Sequence, residues 1–354
     1  MSALTRGNQF WKQFVQYEET IRQCLTNQDY ETLYPIVEDL DEEVYENFGC
    51  HFFVENTYGD FEAVFDTGPN KTCQYLGNML VQLAPDEVKK NWILHETLPP
   101  LSQKAIQAQI QVKDGIYTLA DFYAFYDVEE NNKTVSVKIY CPAYKLIDND
   151  ENKRLMSLYL LELALGQKEY ETFISNVTYI DEPDRDLKFC ELTEFYDVLC
   201  DMAEEKGWKF YDSALEIYSV YQPYKDIASD ALRKDMKIIF TTNPLLIETT
   251  LEKQVDVLLD MEAKEGEYGF IYYTNPYNTE QDAIYRQTLT MQFSEMFEQY
   301  PVARVIGGSM GKSYSYIDVA IYDKAEFNKL FNRIQKQLRD NVDLYYQTFK
   351  STLK

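Results

Sequence analysis

The chain predicts an α+β protein built as two tandem α/β sandwich domains, and three observations carry that expectation. Its 354 residues exceed what one ordinary hydrophobic core organises. Hydrophobic residues make up 45% and aromatics 15%, too much buriable surface for a disordered chain even with 26% charged residues. Helical three- and four-residue periodicities also alternate with short β-branched and aromatic runs bounded by turn residues. The strongest break is Asp181-Glu182-Pro183-Asp184-Arg185-Asp186, a charged linker centred on a proline. It divides the chain into an acidic N-terminal domain, 1–180, and a C-terminal domain, 187–354, which ends in a ferredoxin-like β-α-β-β-α module over about 267–350.

Two amphipathic helices open the chain. Phe10, Phe14, Tyr17, Ile21, Cys24 and Leu25 form the apolar stripe of the first, and Leu33, Val37, Leu40, Val44 and Phe48 that of the second, with Gly49 as its C-cap. Cys50 to Glu55 and Phe61 to Phe65 read as strands around Tyr58-Gly59-Asp60. A helix over 71–83 and a strand at Trp92 to His95 follow. Strands are expected over 116–126 and 135–140, then a buried helix from Leu155 to Leu165 stopped by Gly166, a shorter helix, and a strand at 177–180.

In the second half, 192–203 reads as a helix, 208–221 as a long strand, 237–241 as a strand and 245–261 as a helix. The last ninety residues give the cleanest pattern: strand 268–273, helix 280–299, strands 302–306 and 314–321 around a glycine-rich turn, and a final helix from Glu326 to about Tyr346. Two helices on one face of a small antiparallel sheet would bury that pattern.

Several motifs imitate chemistry. Gly307-Gly308-Ser309-Met310-Gly311-Lys312-Ser313 resembles a phosphate-binding loop, but the spacing is one residue short and Ile306 stands where the first glycine belongs. The segment after it reads as a strand, so the glycines are expected to supply the positive φ of a hairpin. Asp148-Asn149-Asp150-Glu151-Asn152 opens like a calcium loop. Lys153 replaces the required glycine and Tyr159 the bidentate glutamate, which leaves a helix N-terminus. His51 and His95 are the two candidate general bases, and neither has a nucleophile motif beside it. With two histidines and six cysteines lacking any C-x-x-C pair, no metal site and no cofactor are expected. The cysteines read as buried free thiols of a reducing cytoplasm. No export signal and no apolar run near the roughly 20 residues of a membrane span is present.

Net charge is −25 and uneven. Between Glu18 and Asp66 stand fourteen carboxylates against one base, Arg22, a net −13. Such a field repels phosphate backbones and anionic membranes and attracts a basic protein. Glu38, Asp39, Asp41, Glu42 and Glu43 are the candidate partner-binding residues. A solvated helix face is the competing reading of the same run.

Two stretches carry a resemblance. Phe10-Trp11-Lys12-Gln13-Phe14 with Tyr17-Glu18-Glu19, then Trp92 before Pro99-Pro100, resembles bacterial proteins that begin in an F-W-x-W-F-x-x-N-E-like helix, with departures at Gln13 and Tyr17. Val305 to Gly311, Tyr316-Ile317-Asp318 and Tyr322-Asp323 resemble the last strand pair of a domain-of-unknown-function family related to the protein regulators of ribonuclease E. The resemblance covers under half of the chain. It implies an α/β sandwich and action by protein binding, and it carries no catalytic residue across. The sequence therefore leads to a non-enzymatic binding protein, an inhibitor or immunity-type partner of a basic protein. An enzyme or small-molecule binder with its site in an interdomain cleft is the alternative, and an assembly component is the third reading.

Overall fold

A computed structural model describes residues 1–223 and 231–353, and it is a mixture of helices and several sheets, the α+β class expected. α1 (Ala3–Asn27) and α2 (Tyr30–Phe48) are separated by Gln28 in the left-handed region. α2 ends, as its sequence requires, on Gly49 at φ 71°. The stripe of α1 buries Phe10, Trp11, Phe14 and Ile21, and its aromatic rings meet edge to face, Phe10 to Trp11 at 5.0 Å and Trp11 to Phe14 at 5.3 Å. Tyr17, assigned to that stripe from spacing, is exposed, and Trp11 takes the core position, donating its indole N–H to Leu80 O at 2.7 Å.

β1 (His51–Thr57) and β2 (Asp60–Asp66) form the expected hairpin. α3 (Lys71–Leu83) starts at Asn70, whose side chain accepts the Thr72 and Cys73 N–H groups. α4 (Asp86–Asn91) leads into β3 (Trp92–His95), parallel to β2. After α5 (Gln103–Gln107) come β4 (Ile110–Val112) and β5 (Gly115–Tyr117), then β6 (Tyr123–Glu129) and β7 (Thr134–Tyr140). The single strand expected over 116–126 is thus broken. Asp121 accepts the Thr118 N–H and folds 119–121 into a 3₁₀ turn.

α6 (Asp150–Phe173) is capped by Asn149, which accepts the Glu151 and Asn152 N–H groups, so the calcium-like run is a helix start. Gly166 interrupts this helix without ending it, at φ 71° and ψ 161°. The break frees Leu163 O and Gln167 N. The passing segment takes both, with Leu101 N–H donating to Leu163 O (3.1 Å) and Gln167 N–H to Leu98 O (2.9 Å).

β8 (Ile174–Ile180), β9 (Lys188–Glu191) and α7 (Phe195–Glu205) follow. The long strand expected over 208–221 is a loop and a 3₁₀ turn that yields only β10 (Ser219–Tyr221). Then come β11 (Met236–Thr241), α8 (Leu245–Glu252), α9 (Asp256–Ala263), β12 (Glu267–Thr274), α10 (Gln281–Gln299), β13 (Ala303–Gly311), β14 (Tyr314–Ile321), α11 (Lys324–Leu338) and β15 (Tyr345–Thr348). Lys253 at φ 60° splits the helix expected over 245–261 in two. The final helix stops at Leu338, because Tyr345 to Thr348 pair with Gly269 to Tyr272.

Two compact units result, interleaved along the chain. The first is Met1–Phe52, Asn70–Asn91 and Tyr218–Lys354; the second is Phe53–Pro69 and Trp92–Ile217. This differs from the expected division into 1–180 and 187–354. The charged run 181–186 lies inside the second unit, where lysines hold it: Lys153 to Asp181 and Lys138 to Asp184 at 2.9 Å, and Lys145 to Glu182 at 3.4 Å.

In the first unit the sheet runs β10-β11-β13-β14-β12-β15, all antiparallel. Its last four strands with α10 and α11 make the β-α-β-β-α-β order of a ferredoxin-like module, one strand longer than expected. Both helices bury Leu289, Phe293, Phe297, Phe327 and Phe331 against Ile271, Ile317 and Val319 on one face. In the second unit the sheet β8-β7-β6-β9 packs under α6 and α7. Gly166→Ala tests the kink in α6: a Cβ there would meet Pro100 N at 2.6 Å and Leu98 O at 2.9 Å in a backbone region reserved for glycine. The expected loss is about 2–4 kcal/mol, read from urea unfolding of the full chain.

Candidate functional site

The sequence-derived site lies on α2. Leu33, Leu40 and Val44 are buried, and Glu38, Asp39 and Glu42 are exposed, as the stripe requires. Exposed tyrosines join them. Tyr34 and Tyr45 share the face of Glu38 at four- and seven-residue steps, and Tyr30 stacks on Tyr34 with centroids 5.6 Å apart.

Two of the five candidates belong elsewhere. Asp41 accepts the Phe52 N–H at 2.6 Å and lies 3.2 Å from His51 Nδ1, so its carboxylate fixes the start of β1. Glu43 is half-buried, and that burial raises its pKa. Spacing alone cannot separate these from their exposed neighbours, since all five sit in one run.

The histidines are both held by carboxylates. His51 stacks on Tyr45 at 4.8 Å beside Asp41, and His95 Nε2 lies 2.7 Å from Glu62 Oε2. Among the described residues neither ring has a serine or cysteine hydrogen-bonded to it. The six cysteines are free and four are buried. Burial pushes the Cys73 and Cys141 thiols up to about 11 and Cys190 to about 12, which makes them poor nucleophiles at neutral pH.

The glycine-rich hairpin is built around a carboxylate. Asp235 is fully buried; its Oδ2 accepts the Ser313 and Tyr314 N–H groups at 2.8 and 3.1 Å, and Oδ1 accepts the Tyr316 hydroxyl at 2.6 Å. The backbone donors that a phosphate loop offers a nucleotide are thus given to a side chain. The glycines are needed for close approach, not for the positive φ expected of them. A Cβ on Gly311 would lie 2.1 Å from Asp235 Oδ2, and one on Gly307 would lie 2.2 Å from Phe240 O.

A second cluster, of which the sequence reading singled out only His95, gathers in the second unit. β1 supplies Glu55, which is 5% exposed; its Oε2 accepts the Gln103 N–H and its Oε1 is buried without a partner. β2 supplies Glu62 and Asp66, and β3 supplies His95. Lys104 Nζ sits 3.9 Å from Asp66 and 4.4 Å above the Phe53 ring. α6 adds Tyr159 and Glu162, and beyond its break Tyr170 and Glu171.

Burial, with the charges of Asp66 and Glu171 behind it, pushes Glu162 up to about 7. Burial and the neighbouring Glu162 also raise Tyr170, and burial with Asp66 and Glu162 raises Tyr159. Gln167, fully buried at the break, donates to Glu171 Oε1 at 2.6 Å. The arrangement holds a carboxylic acid that exchanges its proton near neutrality. Among the described residues no group of His, Cys, Asp or Glu is placed to hold a metal ion. No described helix is long and apolar enough to cross a membrane.

Compared with protein-family models, curated proteins and solved structures, the chain matches none.

Glu162 binds its proton more tightly folded than unfolded. Its contribution to stability is therefore full below about pH 4.5 and is lost as pH rises through about 7. Glu162→Gln should flatten the stability–pH profile across that window and stabilise the chain at pH 8 by roughly 2 kcal/mol, measured by denaturant unfolding at several pH values. Calorimetry with ATP or GTP, with and without magnesium, should show no saturable heat. A micromolar signal removed by Lys312→Ala would reinstate the hairpin as a nucleotide site.

Proposed function

We propose that this protein acts by binding, as an inhibitor or immunity-type partner of a basic protein, through the exposed face of α2. The observation that carries the reading is the interleaving of exposed carboxylates with exposed rings on one helical face: Tyr30, Tyr34, Glu38, Glu42 and Tyr45. Carboxylates steer a lysine- and arginine-rich surface in, and tyrosine rings offer area and cation–π contact once it docks. Isolated solvating charge needs no such rings. The other carboxylates of α1 and α2 add to the attractive field.

A second reading is favoured by Glu162 and Glu55. A carboxylic acid titrating near neutrality, in a unit that also holds a buried, partnerless carboxylate oxygen, is the environment of an acid–base site.

The combined variant Glu38→Gln, Asp39→Asn, Glu42→Gln should keep wild-type stability within about 0.5 kcal/mol, because exposed charges contribute little. Its association with a basic partner, recovered on immobilised wild-type chain, should slow by surface plasmon resonance. The wild-type on-rate should fall as salt passes roughly 0.15 M, where screening shortens to about 8 Å. An unchanged, salt-independent on-rate in the variant would leave α2 a solvated face. Asp41→Asn is the contrast, expected to cost stability through β1 without changing the steering.

A further inference from the structure

The two edges of the sheet in the second unit are unlike. In the order β8-β7-β6-β9 the outer strands are β8 and β9. β9 has four residues and carries Lys188 and Glu191, charges that discourage a further strand from pairing there. β8, Ile174-Ser175-Asn176-Val177-Thr178-Tyr179-Ile180, has seven residues, no charge and no proline. None of the seven is buried, and Ser175, Asn176 and Thr178 are exposed.

β8 pairs with β7 alone, so the N–H and C=O groups of alternate residues point away from the sheet. Ile174 N–H closes α6 on Tyr170 O. Among the described residues no other hydrogen bond outside the β7 ladder reaches the β8 backbone. The other seven-residue edge strand, β1, is blocked by side chains: Asp41 accepts the Phe52 N–H at 2.6 Å, and the Gln103 amide donates to Asn56 O. Nothing of that kind is placed along β8. Its one irregularity is a bulge at Ser175, where Val135 and Ser136 of β7 stand opposite Ile174 and Asn176. From Asn176 to Ile180 the register is regular.

We propose that this edge is a homodimer surface, on which β8 of a second copy pairs antiparallel about a two-fold axis at Thr178. The strand is complementary to itself. Thr178 then faces Thr178, Val177 faces Tyr179 of the second copy, and Asn176 faces Ile180. Threonine pairs and aromatic–β-branched pairs are stabilising cross-strand combinations. No charged side chain of β8 meets its copy in any register, although the whole chain carries −25. Pairing joins two four-stranded sheets into one that ends on β9 at both sides, so association stops at two copies. The surface is separate from the α2 face and does not depend on the partner-binding reading.

The test is sedimentation equilibrium of the full chain from about 1 to 100 µM, since one strand pair makes a small interface. Wild type should pass from monomer to dimer across that range. Thr178→Lys sets two lysines face to face at an exposed position and should weaken the dimer roughly ten-fold or more. It also reduces the net negative charge, so a general electrostatic effect would strengthen association instead. Glu191→Lys, which adds positive charge at the β9 edge, should leave the dimer intact. A wild-type monomer at every concentration overturns the pairing and leaves the edge to an extended segment of another protein. A dimer that Thr178→Lys leaves unchanged, or that Glu191→Lys weakens equally, overturns it too. If Thr178→Lys fails to fold, hydrogen exchange of wild type decides. Slower exchange of the amides of 175–180 at the high concentration supports the pairing, and unchanged exchange overturns it.

Discussion

A carboxylate sealed from water must be given donors, and that demand at Asp235 organises the centre of the first unit. Left unmet, it would cost several kcal/mol. Three donors meet it, the Ser313 and Tyr314 amides and the Tyr316 hydroxyl, and each constrains something else. The amides fix the two-residue turn between β13 and β14. The approach leaves no room for a side chain at Gly311, and the register of β11 against β13 shifts between Met236 and Ile238. The Tyr316 hydroxyl accepts the Arg233 N–H at 2.9 Å, and the Arg233 side chain then reaches Asp318 between the rings of Phe270 and Phe349. One buried charge thus ties β11, β12, β13, β14 and the C-terminal turn together.

The fold was legible where a local pattern and the tertiary outcome agree. Three- and four-residue spacing finds α1, α2, α10 and the start of α11, since each lays one apolar stripe on a core. It fails where a distant strand or carbonyl decides. Tyr345 and Tyr346 continue a helical pattern, but the edge of β12 is free to pair and takes them as β15. Gly166 looks like a stop. It is a kink because Leu98 O and Leu101 N–H satisfy the backbone groups that the break exposes. The charged run 181–186 looks like a linker by composition, and three lysines from 138 to 153 make it part of a packed unit.

The sites divide in the same way. The acidic run on α2 is visible from spacing, but no rule of spacing tells Asp41, bonded to the Phe52 N–H, from Glu42, which faces water. The cluster around Glu162 draws on residues from 55 to 171 and has no signature. With 59 carboxylates in the chain, close pairs occur by chance at every turn. What singles out Glu162 is its surroundings: burial and two like charges, against the single lysine, Lys104, that lies on Asp66.

Buried charge therefore falls into two kinds here, and the distinction carries functional weight. Asp235 is met by three protein donors and Arg233 is paired with Asp318, and such a network defines one packing arrangement, even though Arg233 Nε is buried without a partner. Glu162 is half-buried beside like charges, and that burial leaves it to hold a proton near neutrality. A neutral side chain of similar size in place of Glu162 would stabilise the chain above neutrality. The exposed carboxylates of α2 impose no comparable cost, so their number alone says less about function than the burial and like charges that raise Glu162.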